Sequence, residues 1–231
     1  MRIAITGASG LIGTALTSHL RGNGHETVSF VRRPAASPAE ISWDPMAGKL
    51  NAHDLDGIDA VVHLAGAGIG DKRWSDGYKR EILESRTRST ELLAQRLTEA
   101  ERRPSVFLSG SAIGIYGARG DEELDENGSH GALKKQLPLF KLGLGGRFGN
   151  GRQWQSWISI TDEVRAISHL LNSKVSGAVN LTAPNPVTNA EFTKVLASVM
   201  KRPALLPIPS FGPKALLGSE LADALLFTGQ R

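Results

Sequence analysis

Eleven residues near the N-terminus, Ile3-Ala4-Ile5-Thr6-Gly7-Ala8-Ser9-Gly10-Leu11-Ile12-Gly13, constrain this chain more than any other stretch. The apolar run over Ile3 and Ile5 reads as a buried parallel strand, and a helical pattern through Leu16 and Leu20 follows it. Between strand and helix, Gly7, Gly10 and Gly13 recur at three-residue spacing. Gly7 permits a tight turn out of the strand, Gly10 lets backbone approach a pyrophosphate, and Gly13 lets the helix pack closely on the sheet. The helix N-terminus adds unpaired N–H groups and partial positive charge. Dinucleotide binding is the expectation, with contacts from Gly7, Ser9, Gly10, Leu11, Ile12 and Gly13; a purely structural strand-to-helix turn is the alternative.

The next strand, Thr27 to Val31, ends in Arg32-Arg33. In a dinucleotide fold this end faces the adenine ribose, where a carboxylate selects NAD and a guanidinium suits the 2′-phosphate of NADP. Two arginines and no carboxylate make NADP(H) the expected cofactor, with Val31, Arg32 and Arg33 beside it. Ile41 and Trp43 mark a weak third strand, and Ile58 to Leu64 a fourth. The small residues after it, Ala65-Gly66-Ala67-Gly68, let a cofactor lie against the backbone, with contacts expected from Leu64, Ala65 and Gly66, while His63 reads as a packed strand residue. A long amphipathic helix is expected over Trp74 to Ala100, with Ile82, Leu83, Leu92, Leu93 and Leu97 on its apolar face. Ser105 to Ser109 is the fifth strand, and Ser111 just beyond it is placed to hydrogen-bond a substrate oxygen beside the nicotinamide.

Composition narrows the possibilities. No cysteine occurs, which excludes disulfides, thiolate metal sites and a cysteine nucleophile. The net charge of +4 is spread along the chain instead of gathered in a run, so nucleic acid is not an expected partner. No apolar stretch approaches the roughly 18 residues of a membrane span. The chain is read as soluble and cytoplasmic, its first residues being a core strand and not a signal peptide.

The GxxGxxG spacing resembles the short-chain dehydrogenase/reductase superfamily, and Thr6 to Gly13 resembles its extended, epimerase-type branch. His63-Leu64-Ala65-Gly66 is similar to that superfamily's Asn-Ala-Gly turn. Ser111 and Tyr116 match the branch's Ser-Ala-x-x-x-Tyr-Gly pattern, which implies a catalytic role for Ser111 and a site-shaping one for Tyr116. Superfamily chemistry uses a tyrosine with a lysine four residues on. Here Tyr78 has Ile82 at that distance and Tyr116 has Gly120, so the pair is absent.

Downstream, Lys141 to Trp157 and Asn180 to Phe192 resemble the atypical, epimerase-like family of extended short-chain dehydrogenases. That resemblance implies cofactor contacts from Glu81 and Arg86 on the long helix, alongside Ser109. Two departures from the family stand out. A helix and a sixth strand have no sequence to encode them between Ser111 and Gln155, so Gly131 and Ala132 are not expected to be natural covalent neighbours. The C-terminus is also expected to continue past Arg231.

Gln155 to Ile160 reads as a strand, Asp162 as the cap of a following helix, Ala178 to Leu181 as a strand, and Thr188 with Glu191 as a capping box. The expected fold is α/β: a Rossmann-type doubly wound parallel sheet over 1–131, to which 155–181 also contributes. Residues 132–154 and 184–231 form a small substrate lobe. The function expected is an NADP(H)-dependent oxidoreductase or epimerase acting on a small polar, sugar-nucleotide-like substrate, with no metal. The alternative is a dinucleotide-binding sensor or interaction protein without turnover.

Overall fold

Strand β1 (Arg2–Thr6) lies at the centre of a five-stranded sheet. It pairs in parallel with β2 (Glu26–Val31) on one side and β4 (Ala60–His63) on the other. Strand β3 (Glu40–Ser42) extends the sheet beyond β2, and β5 (Val106–Ser109) extends it beyond β4, again in parallel. The resulting order, β3-β2-β1-β4-β5, reverses direction at β1, and the carboxyl ends beside such a reversal form the usual ligand crevice of an open α/β sheet. Ile3, Ala4, Ile5 and Thr6 are all buried, as a central strand covered on both faces requires. The computed structural model describes residues 1–111, 145–204 and 207–227.

Side-chain alternation sorts the core. Ala4, Val28, Phe30 and Val61 join Leu92 and Leu93 of α2 (Asp76–Glu99) in one apolar cluster. Helices α1 (Leu11–Gly22) and α3 (Ile160–Leu171) pack against one another and bury Leu16 and Leu20 on the first, Val164, Ile167 and Leu171 on the second. Each such side chain contributes roughly 1.5–3 kcal/mol when taken fully out of water. Leu83, expected on the buried face of α2, is exposed.

Two compact units emerge: Met1–Ser111 with Ile160–Val175, and Ala112–Ser159 with Ser176–Arg231. In the second, a two-stranded antiparallel ribbon pairs β6 (Trp154–Gln155) with β7 (Val187–Thr188). Helix α4 (Asn189–Met200) starts with the expected capping box, in which Thr188 Oγ1 accepts from the Glu191 N–H and the Glu191 carboxylate accepts from the Thr188 N–H. Helices α5 (Phe211–Leu217) and α6 (Ser219–Ala222) follow.

Two local expectations are corrected. The strand expected over 155–160 is only Trp154–Gln155, and a helix begins at Ile160, with Asp162 inside its first turn. Ile160, Val164, Ile167 and Leu171 recur at helical spacing, so the apolar pattern belongs to the helix. Residues 178–181 form no strand; Val179 is exposed, and among the described residues the run has no neighbouring strand to pair with. Tyr116, the acidic stretch that follows it, the Gly131–Ala132 junction and Arg231 lie outside the described residues.

Candidate dinucleotide site

The three glycines of the first turn differ in what surrounds them. Gly7 has φ +66°, and a Cβ there would meet the Leu64 carbonyl carbon and oxygen at 2.9 Å. A Cβ on Gly13 would fall 2.2 Å from the Gly7 carbonyl oxygen and 2.8 Å from the Ala8 Cα. Both glycines are demanded by the protein's own backbone. Gly10 is less constrained: its Cβ would make one tight contact, with the Gly7 carbonyl oxygen at 3.2 Å, and its φ of −75° and ψ of 176° suit any residue.

Gly10 is also the N-cap of α1, with no side-chain cap and no acidic residue in the first turn. The first helical bond runs from the Thr14 N–H to the Gly10 carbonyl, so the N–H groups of Leu11, Ile12 and Gly13 have no helical acceptor. Helix α2 and α4 are instead capped by Ser75 and Thr188. Ser9, Gly10 and Leu11 are exposed around this bare end.

Opposite Gly7 lies the turn after β4, held from beneath by a chain of hydrogen bonds. Thr6 Oγ1 accepts from the Leu64 N–H at 3.0 Å and the Ala65 N–H at 3.1 Å. With both acceptor positions used, its proton goes to His63 Nδ1, 2.6 Å away. The remaining imidazole proton therefore sits on Nε2 and is donated to Ser89 Oγ at 3.0 Å, while the Ser89 hydroxyl donates to the Ser85 carbonyl at 2.6 Å. This pattern assigns His63 as neutral. Burial, with the nearby Arg86 charge adding to it, pushes its pKa down to about 4, and the ring is only 2% exposed. Trp43 meets its ring edge-on.

Helix α2 completes the support. Ser85 Oγ accepts from the Ala67 N–H at 3.0 Å, and Arg86 donates to the Ala67 carbonyl at 3.0 Å. Arg86 covers Gly66 so closely that a Cβ there would lie 3.1 Å from the guanidinium carbon. Glu81 is exposed and 3.5 Å from Lys72. His63 pairs in register with Ser109, which is exposed at the carboxyl end of β5, as is Ser111 two residues on.

At the end of β2 the two arginines part company. Arg33 forms a two-pronged ion pair with Glu40, at 2.8 and 2.6 Å. That bond, with the Ala36 N–H adding to it, lowers the Glu40 pKa to about 2. Arg32 is exposed and makes no hydrogen bond or ion pair among the described residues. Both line a cavity of about 320 Å³ with Trp43, Lys49 and Asn51. Sequence reasoning placed His63 as packing only and missed Thr6, Ser85 and Ser89. Two serines four apart on the buried side of α2 were the available signal.

Against known proteins, the NAD dependent epimerase/dehydratase family model matches residues 3–137. The chain belongs to this family. An epimerase family protein of Mycobacterium leprae is 38% identical over 269 residues, spanning 99% of this chain and 87% of its own. The human epimerase family protein SDR39U1 is 32% identical over 268 residues, spanning 98% and 89%. A crystal structure of that human protein with NADPH is similar at TM-score 0.88 and 31% identity, covering 100% of this chain and 90% of that one. The sheet is accordingly the Rossmann-like α/β sheet of the epimerase-type short-chain dehydrogenases. The matched spans are longer than the chain's 231 residues, so within them these relatives carry residues that this epimerase-family chain lacks.

Proposed function

We propose that this protein binds NADP(H) at the Gly7–Gly13 turn and acts as an oxidoreductase or epimerase on a small polar substrate, of the sugar-nucleotide class. One observation carries the cofactor part: Gly10 lies exposed at an uncapped helix end, where a Cβ would have a single close neighbour, the Gly7 carbonyl oxygen at 3.2 Å. A glycine there leaves room for another group to come close to the helix end, and a pyrophosphate on the free N–H groups is such a group. The NADPH bound to the human relative supports the same reading.

In this reading Gly7, Ser9, Gly10, Leu11, Ile12 and Gly13 cradle the pyrophosphate. Val31, Arg32 and Arg33 border the adenosine ribose, with Arg32 on the 2′-phosphate. Leu64, Ala65 and Gly66 form the opposite wall, Glu81 and Arg86 reach it from α2, and Ser109 lies at the nicotinamide end. Bound NADP(H) supplies or accepts the hydride. Ser111 orients the reacting oxygen of the substrate by hydrogen bonding.

Arg32 makes the cofactor preference testable. NADPH is expected to bind at least tenfold more tightly than NADH, a difference of roughly 1.4 kcal/mol. Arg32→Ala should erase that preference, whereas Arg33→Ala should largely keep it, because the Arg33 guanidinium is already engaged by Glu40. Equal affinities for the two cofactors in calorimetry would refute the assignment.

The absence of a Tyr-x-x-x-Lys pair favours a second reading, a dinucleotide-binding sensor or interaction protein without turnover. NADPH oxidation followed across carbonyl compounds and nucleotide sugars separates the two. Turnover that falls in Ser111→Ala supports the enzyme; tight NADPH binding with no turnover on any of them supports the sensor.

A further inference from the structure

The second unit holds a cavity of about 380 Å³ whose charged lining, among the described residues, has one sign. Arg147, Lys194 and Arg202 line it, and among the described residues no acidic side chain does. Ala190, Thr193, Lys194 and Ala197 are its α4 wall, spaced three and four apart and so on one helix face. Arg147 and Lys194 have no ion-pair partner among the described residues. Glu191, one turn before Lys194, is occupied elsewhere: its carboxylate accepts from the Thr188 N–H and hydroxyl, each at 2.8 Å.

The backbone carrying Arg147 is fixed from two sides. The Ile208 N–H donates to the Arg147 carbonyl at 2.8 Å, and the next N–H, of Phe148, donates to Oδ1 of the fully buried Asn189 at 2.7 Å. Thr193, only 4% exposed, contributes a polar side chain with no hydrogen-bond partner among the described residues. The three cations are exposed at the rim of the recess, and like charges gathered there repel each other. Such an arrangement is relieved by an anion.

We propose that this cavity is a binding site for the phosphoryl group of a small phosphorylated molecule. The charge of a phosphomonoester, close to −2 at neutral pH, matches two free cations better than the single charge of a carboxylate. A guanidinium fork takes two phosphoryl oxygens at once, and a hydroxyl at Thr193 can donate to a third. The volume fits a small ligand. Every residue of the site belongs to the second unit, and none is in the Gly7–Gly13 turn.

The test measures thermal melting and calorimetric binding at constant ionic strength, without dinucleotide, using inorganic phosphate and glycerol 3-phosphate against chloride, acetate and glycerol. Phosphate and glycerol 3-phosphate should raise the melting temperature; the three controls should not. Arg147→Gln and Lys194→Gln should each weaken phosphate binding at least fivefold. With no ligand present, their melting temperatures should hold or rise, since a repulsive charge has gone. Lys194 is exposed on α4, so its variant remains decisive should Arg147→Gln fail to fold. In Gly10→Val the phosphate response should persist. Its loss there would place the phosphate at the α1 N-terminus and overturn the proposal, as would a response unchanged in Lys194→Gln or matched by chloride.

Discussion

Gly10→Val is expected to weaken NADPH binding at least a hundredfold, about 3 kcal/mol, while the protein still folds and melts within a few degrees of the parent. The backbone at Gly10 is extended, a conformation that β-branched residues favour, and a Cβ meets only one atom, the Gly7 carbonyl oxygen at 3.2 Å. The added methyl groups would instead fill the space in front of the free N–H groups of α1. Gly13→Ala should behave in the opposite way. Its Cβ would overlap the Gly7 carbonyl oxygen at 2.2 Å and crowd the Ala8 Cα at 2.8 Å, and both are backbone atoms that cannot swing aside. Overpacking of that kind costs on the order of 1–3 kcal/mol or more, so stability falls along with binding. Calorimetry with NADPH and thermal melts of both variants read the contrast. Undiminished NADPH binding by a folded Gly10→Val would remove the cofactor assignment.

Acid should destabilise the protein through His63. Its folded pKa of about 4 lies below the ordinary 6.5, so the unfolded chain takes up a proton first as pH falls. The stability that depends on a neutral ring is complete above about 6.5. It declines as pH drops from there to about 4, and the total loss from this group is roughly 3 kcal/mol. A proton on Nδ1 would also face the Thr6 hydroxyl, whose acceptor positions serve Leu64 and Ala65. Thr6 would then have to release the turn, so NADPH affinity should fall over the same interval. His63→Asn is expected to lose about 1–3 kcal/mol at pH 7 by leaving part of this network unpaired. Between pH 6.5 and 4, however, its stability should be much flatter than the parent's. Urea denaturation at pH 7, 6, 5 and 4 compares them, and equal slopes would show that His63 is not the group responsible.

What the chain encodes locally was legible without coordinates. The glycine turn, the five strands of the sheet and the Thr188–Glu191 capping box each depend on residues only a few positions apart. Periodicity and capping are short-range chemistry, and they survive any arrangement of the rest. Helix and strand became ambiguous where the apolar run was short, as after Gln155, because four to six residues carry too few repeats to distinguish the two periods.

The site chemistry was decided by distance along the chain. Arg32 and Arg33 look equivalent as neighbours, and only the approach of Glu40, seven residues on, commits one and leaves the other free. His63 looked like strand packing because its partners, Thr6 and Ser89, are 57 and 26 residues away. Pairing β1 with β4 and laying α2 across them brings the three together in a dry interior. There every donor needs an acceptor, and that requirement alone sets the histidine's tautomer and the position of the turn it supports.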